Sequence, residues 1–536
     1  MVDVIIRGGT IYDGSGEAGF EGDVAIEGDR ITAVGRIPTR APLEIDAGRL
    51  AVAPGFINMM CWANESLIED GRSQSDIRQG VTLEVLGEGW SMGPLTDAMK
   101  AEMKARQGDI QYDIEWTTLA EYLDYLVRRG VSCNVASFVG AGRVRGYVIG
   151  FEDRRPTATE LVEMQNLVRQ AMAEGAVGVS SALIYSPDCF ADTAELTALA
   201  AAAAEYDGIY ITHLRSEGAG FYEALDEFFE IVRRSGARAE IYHLKASGHR
   251  NWHKLDEVIR RVEAAQAEGL AITADMYTYH ASSTGLDSIM PGWVQEGGHD
   301  EWVRRLQDSA VRQRLLAEMS DEGEDNEYGL LEVGTADGIL LTSFRNPDLR
   351  HLTGKTLAEV AAMRQKPALE VAMDLVIEDD SRVGAVFFTM SEENVRKKVA
   401  LPWVSFCTDS ASLAPEGVFL NSNPHPRAYG SFARLLGKYV REEGIISLPE
   451  AVRRMAALPA DVLRLKERGR LKPGYFADLA IFDPAKIQDN ATFANPHQYA
   501  TGMVHVLVNG IQVIKDGEHT GAMAGRVVKG PGCSER

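Results

Sequence analysis

The sequence predicts an α/β protein: a (β/α)8 TIM-like barrel with a small β-sandwich domain built from both termini. Three observations lead there. Both ends of the chain read as β-strands separated by Gly-containing turns. The middle alternates eight short apolar runs with amphipathic helical stretches, the pattern of parallel strands covered by helices. The chain has 536 residues, 45% hydrophobic and 25% charged, which is long enough to bury a large core in an ordinary soluble composition. That composition excludes a collagen, a disordered chain and a disulfide-stapled miniprotein.

The elements follow in order. Val4-Ile5-Ile6, a turn at Gly8-Gly9 and Thr10-Ile11-Tyr12-Asp13-Gly14 read as strand, turn and strand, and residues 23–31 repeat the texture. At the other end, 477–482, 504–508 and 511–514 are strand-like, and Asn509-Gly510 between the last two is a hairpin signal. Residues 1–50 and 468–536 are therefore assigned to the β-sandwich domain. The buried-strand candidates are 51–58, 81–87, 132–139, 176–182, 209–213, 239–243, 271–277 and 404–408. Thr118 with Glu121 and Thr157 with Glu160 form capping boxes, and Leu161, Met164, Leu167, Val168 and Met172 share one helical face. The barrel takes 51–285 and 391–467. The connection from the seventh strand to the eighth is too long for a βα loop and carries its own helix signal, Thr356 with Glu359. It is read as an insertion over 286–390, near the catalytic rim. Residues 429–443 and 447–464 look helical, with Ser447 and Glu450 as another capping box. The acidic stretch 321–327 reads as a solvated loop.

Charge narrows the partners. Lys+Arg is 55 and Asp+Glu is 78, a formal net charge of −23, which repels phosphate backbones and anionic lipid. Neither nucleic acid nor a membrane is expected as a partner. The five cysteines are widely spaced with no CxxC, as free thiols in a reducing compartment would be. Residues 1–10 lack a signal-peptide pattern, and no apolar run reaches about 18 residues. A cytoplasmic protein, with homo-oligomerisation left open, is the expectation.

The chain has 11 histidines, the first of them His213. His213 ends the fifth strand candidate and His243 ends the sixth. In a barrel the C-terminal strand ends share one mouth, and adjacent strands lie about 4.8 Å apart. Two imidazoles there can converge on one divalent ion, and neutral imidazole suits zinc. A hydrogen-bonded core role for each is the competing reading. Asp409, at the end of the eighth strand, points at the same mouth as a ligand or a proton acceptor, or else caps a helix. Glu88 ends the second strand between two glycines, where a plain turn is the alternative. Lys245 and Arg427 are candidate anion binders or ordinary surface charges.

Taken together these stretches resemble the amidohydrolase superfamily, and within it the D-aminoacylase (N-acyl-D-amino-acid deacylase) branch. The resemblance lies in Ala53-Pro54-Gly55-Phe56-Ile57, Thr212-His213-Leu214-Arg215-Ser216-Glu217, His243-Leu244-Lys245, Asp275-Met276-Tyr277-Thr278-Tyr279, Met390-Ser391-Glu392-Glu393-Asn394-Val395, Thr408-Asp409 and His425-Pro426-Arg427-Ala428-Tyr429-Gly430. The tail adds Arg468-Gly469-Arg470-Leu471, Ala477-Asp478, Phe482-Asp483-Pro484 and Val508-Asn509-Gly510. The resemblance implies a zinc-dependent barrel with a terminal β-sandwich, with His213 and His243 as metal ligands and Asp409 as general acid/base. It further implies that Lys245, Arg427 and Tyr277 hold a substrate carboxylate.

Two departures stand out. The superfamily's His-x-His pair after the first strand falls on Met60 and Trp62, and neither thioether nor indole replaces imidazole on zinc. The branch's cysteine ligand falls on Gly89, with Glu88 one residue earlier, so Glu88 is the candidate third ligand, and Cys61 and His280 are next in line. The expectation is one zinc per chain on Glu88, His213 and His243, resembling the N-acetylglucosamine-6-phosphate deacetylases. Room near Trp62 and Trp90 is left for a different substrate. The expected reaction is hydrolysis of an N-acyl-D-amino acid or a related carboxylate-bearing amide. A different amide, cyclic imide, lactam or ester as substrate, and a metal-free non-catalytic relative, stay open as alternatives.

Overall fold

In the computed structural model, residues 2–533 are described. Eight parallel strands close a barrel. Phe56–Asn58, Val81–Leu86 and Asn134–Ser137 form one arc. Val139–Gly140, Gly178–Ala182, Ile209–His213, Arg238–Ile241, Ile272–Met276 and Val404–Phe406 form the other. The third strand thus breaks at Phe138, and its two halves serve the two arcs. Backbone bonds from Asp409 N–H to the Met60 carbonyl (3.0 Å) and from Trp62 N–H to the Ser410 carbonyl (2.9 Å) link the segments that follow the last and first strands. Inward-facing Ile57, Leu83, Val85, Ala136, Ile209, Ile211 and Tyr242 fill the barrel, with Leu463 and Val528 in the same cluster. A larger core lies between the strands and the covering helices.

The single strand expected over 51–58 is two strands. Ala51–Pro54 pairs with Val4–Ile11 and Leu479–Phe482 in the terminal sheet, and only Phe56–Asn58 enters the barrel. The break is at Gly55, where a Cβ would lie 2.1 Å from Thr82 Oγ1. The terminal sheet has nine strands drawn from both ends of the chain. The turn expected at Gly8-Gly9 is instead a bulge inside one strand, Val4–Ile11, with Gly8 at φ +65°. Asn509 (φ +49°) and Gly510 (φ +81°) do make the tight hairpin turn.

The Thr118, Thr157 and Thr356 capping boxes open Leu119–Arg129, Ala158–Glu174 and Leu357–Arg364. At Ser447 the hydroxyl caps the Glu450 N–H (3.4 Å). Between the seventh and eighth strands, Ser282–Gly285, Ile339–Ser343 and Gly384–Phe387 form a separate antiparallel sheet. Leu286, Trp302, Leu315, Leu341, Val371 and Leu375 are among the residues of a hydrophobic cluster of its own there. Among the described residues no helix is long and apolar enough to cross a membrane.

Candidate active site

The second strand delivers Glu88 through a Gly-Glu-Gly turn. Gly87 has φ +100° and Gly89 φ +59°, and a Cβ on Gly87 would sit 2.4 Å from the Phe138 carbonyl oxygen. One hydroxyl fixes both flanks: Ser180 Oγ accepts from Gly89 N–H (3.1 Å) and donates to the Gly87 carbonyl. The turn reverses the side-chain direction. Glu84 is buried beside Asp76, away from the cavity, whereas Glu88 enters the mouth.

His213 closes its strand, and His243 follows Arg238–Ile241 at φ +34°, with its N–H donating to Asp275 Oδ1 (2.7 Å). His213 Nδ1 lies 2.8 Å from His243 Nε2. Glu88 Oε1 lies 3.5 Å from the first and 3.3 Å from the second. These three groups offer ligand atoms all within 4.8 Å of one another, and all three residues are buried. Behind them stands Glu217, with Oε2 3.4 Å from His213 Nε2 and Oε1 3.2 Å from His243 Nδ1. A carboxylate behind a ligating imidazole orients the ring. Burial holds both imidazoles well below their ordinary range, and at His243 the Lys245 ammonium adds to the effect. Burial, then the charge of Asp409, pushes Glu88 well above the usual carboxylate range. Two neutral imidazoles and a buried carboxylate within reach of both suit a divalent ion, whose charge reverses that local balance.

Asp409 lies across the mouth, with Oδ2 accepting from Arg427 Nη1 (2.6 Å) and Oδ1 from Trp62 Nε1 (3.3 Å). The Arg427 guanidinium stacks 4.6 Å from the Tyr277 ring centroid and donates to the Ser283 carbonyl (3.1 Å), and its buried Nε has no hydrogen-bond partner among the described residues. Lys245 Nζ donates to Glu217 Oε1 (2.7 Å) and lies 2.7 Å from His243 Nδ1. All of these side chains line one cavity of about 660 Å³. The inserted segment supplies another wall, including Ile289, Met290 and Trp293. It also supplies Glu327, the last residue of the acidic stretch, which accepts from Ser216 Oγ and Gly220 N–H and so is not simply a solvated charge.

The seven residues expected as metal ligands, acid/base or carboxylate binders all border this cavity: Glu88, His213, His243, Lys245, Tyr277, Asp409 and Arg427. Cys61 and His280 do not join it: Cys61 Sγ turns to the Val85 carbonyl (3.5 Å), and His280 lies beside Glu392 (3.8 Å). Met60 is packed in the barrel interior, while Trp62 borders the cavity. Sequence reasoning passed over the roles of Glu217, Ser180, Asp275 and the Trp62 indole. Glu217 carried a signal, since it stands four residues beyond His213 in the same polar segment.

A barrel whose mouth gathers two histidines and a carboxylate opposite an aspartate defines a metal-dependent hydrolase class, and comparison with known proteins agrees. The amidohydrolase family profile matches residues 44–514. A D-aminoacylase of Alcaligenes xylosoxydans xylosoxydans is 33% identical over 531 residues, spanning 98% of this chain and 97% of that protein. A solved D-aminoacylase, studied for the function of its binuclear metal centre, superposes with a TM-score of 0.82 at 32% identity, covering 99% and 100% of the two chains. An N-acyl-D-glutamate deacylase of Bordetella bronchiseptica, solved with zinc and a phosphonate inhibitor, gives 0.81 at 29% identity, covering 98% and 99%. The chain belongs to the amidohydrolase family, in its D-aminoacylase branch, and is a metal-dependent hydrolase of amide bonds.

Proposed function

We propose that this enzyme hydrolyses N-acyl-D-amino acids, with one zinc ion held by Glu88, His213 and His243 and with Asp409 as general acid/base. The observation that carries the reading is the convergence of three buried ligand atoms within 4.8 Å in a cavity that also holds Asp409, Lys245 and Arg427. Met60 and Trp62 leave the first strand without imidazole ligands, which supports one ion rather than two. When bound, the ion supplies Lewis-acid polarisation of the acyl carbonyl and lowers the pKa of a water molecule.

The chain's own residues do the rest. Asp409 accepts a proton from the attacking water on a carboxylate oxygen and returns it to the leaving nitrogen, so that the amine departs neutral. Arg427 and Lys245 receive the substrate's α-carboxylate, and the Tyr277 ring supports the guanidinium plane. Glu217 holds Lys245 and stands beside both imidazoles. The small-molecule substrate is thus an anion met by two cationic side chains inside an acidic protein.

A panel of N-acetyl amino acids of both configurations, assayed with metal content measured on the same preparation, tests this. The expected result is turnover of D-substrates, negligible turnover of L-substrates, and about one tightly bound zinc per chain. Equal rates for the two configurations, or two tight ions, contradict the reading. Asp409→Asn should keep ion and fold while lowering kcat by about 10²-fold or more.

A further inference from the structure

Asp409 sits on a backbone that does not hold its side chain by itself. Its φ is +47°, in the left-handed region that few non-glycine residues occupy, and it lies three residues beyond the last barrel strand. Two side chains are hydrogen-bonded to its carboxylate among the described residues, Arg427 on Oδ2 and Trp62 on Oδ1. Arg427 also has calls elsewhere: the Ser283 carbonyl, the Tyr277 ring and, on the reading above, the substrate. Trp62 makes no other side-chain hydrogen bond among the described residues, and its indole N–H can only donate.

The two segments are also stitched together. Trp62 N–H donates to the Ser410 carbonyl (2.9 Å) and Asp409 N–H to the Met60 carbonyl (3.0 Å). Asn58 donates through Nδ2 to Thr408 Oγ1 (2.7 Å) and accepts Thr408 N–H on Oδ1 (2.9 Å). The backbones that carry the indole and the carboxylate are therefore tied to each other beside the cavity. A fixed donor aimed at a reacting group contributes more than one that must be recruited during the reaction.

We propose that Trp62 is a positioning residue for Asp409: its indole N–H fixes the carboxylate in the orientation from which it moves protons, independently of whether Arg427 is engaged by substrate. The inference rests on the role assigned to Asp409 above. Trp62→Phe keeps an aromatic ring and removes the donor. With N-acetyl-D-amino-acid substrate, kcat should fall about tenfold, the low end for a hydrogen bond to a charged group, given the 3.3 Å separation. KM should stay within about twofold, and metal content and thermal midpoint should stay near wild type, because no ligand or substrate contact is removed.

The decisive measurement is the double variant with Asp409→Asn. If Trp62 acts through Asp409, adding Trp62→Phe costs nothing further, whereas independent effects multiply. Replacing Trp62 with benzothienylalanine, which has the indole's shape but sulfur for the N–H, repeats the test should Trp62→Phe fold poorly. Wild-type kcat in Trp62→Phe and in the benzothienylalanine variant, or a full tenfold loss added on top of Asp409→Asn, overturns the inference alone. Wild-type turnover in Asp409→Asn overturns the role of Asp409 and this inference with it.

Discussion

Glu84 and Glu88 stand four positions apart in one short segment and meet opposite surroundings. Glu88 faces two imidazoles at the cavity floor. Glu84 is fully buried, with Ser73, Cys133 and Ser412 as its polar neighbours. Asp76, held by Asn58 Nδ2 (2.9 Å), is its acidic neighbour. Burial, then the charge of Asp76, pushes Glu84 well above its ordinary 4.5, and burial pushes Asp76 up from 3.8 to about 7. In the fold these acids keep protons that the unfolded chain releases. Raising the pH above the unfolded values therefore lowers stability until the folded values are passed, which for Asp76 is near 7. Each group tilts the curve by at most about 1.4 kcal/mol per pH unit. Glu84→Gln should flatten the fall in stability between about pH 5 and 7 and keep the metal. Glu88→Gln should lose tight metal binding. Denaturation curves at several pH values and metal analysis of both variants check this pair. Parallel pH curves for wild type and Glu84→Gln, or zinc retained in Glu88→Gln, count against it.

At the scale of the element, the second strand and its turn act as one aiming device. Ser180→Ala removes the hydroxyl that grips both Gly87 and Gly89, and we expect metal affinity to fall about 10- to 100-fold, as when outer contacts of a ligand are lost. Gly87→Ala forces a Cβ to 2.4 Å from the Phe138 carbonyl at φ +100°, so it should lose both ion and stability. A metal titration showing wild-type affinity in Gly87→Ala would falsify the device. The strands themselves were legible because buried parallel strands are continuous apolar runs. His213, His243 and Asp409 were legible because each follows such a run. Other features depend on neighbours remote in sequence. The division of 51–58 falls at Pro54-Gly55, a break signal within the segment, but the partners that sort its halves between sheet and barrel, Leu479–Phe482 and Val81–Leu86, are remote. Gly8-Gly9 has turn composition, yet Val24 to Glu21 on the neighbouring strand keep pairing past it. Glu217 and the Trp62 indole acquire their parts only when separate strands bring His243, Lys245 and Asp409 alongside them.

At the scale of the whole molecule, the terminal sheet is locked to the barrel by a buried polar junction. Asp478 pairs with Arg468 and accepts Asn509 N–H (2.8 Å), and its carbonyl accepts Gly55 N–H (2.8 Å). Asn509 Nδ2 donates to Asn134 Oδ1 in the third barrel strand (2.8 Å) and to the Ala524 carbonyl (2.8 Å). Residues from the first segment, the barrel and the tail thus meet at one point. Asp478→Ala strands the Arg468 guanidinium away from water, and losing one partner of a buried ion pair costs about 3–5 kcal/mol. The apolar contacts predict how that loss appears. Ala480, Phe482, Val506 and Val508 of the sheet share a core with Phe56, Val81 and Val135 of the barrel. The weakened protein should therefore still unfold its sheet and barrel together, at lower denaturant. Tryptophan fluorescence reports the barrel and its insertion, since none of the seven tryptophans lies in the segments that form the terminal sheet, and far-ultraviolet circular dichroism reports the whole backbone. Coincident transitions shifted to lower denaturant are the expected outcome. Two separated transitions in Asp478→Ala would show that the shared core does not couple the sheet to the barrel, and that the junction alone held them as one body.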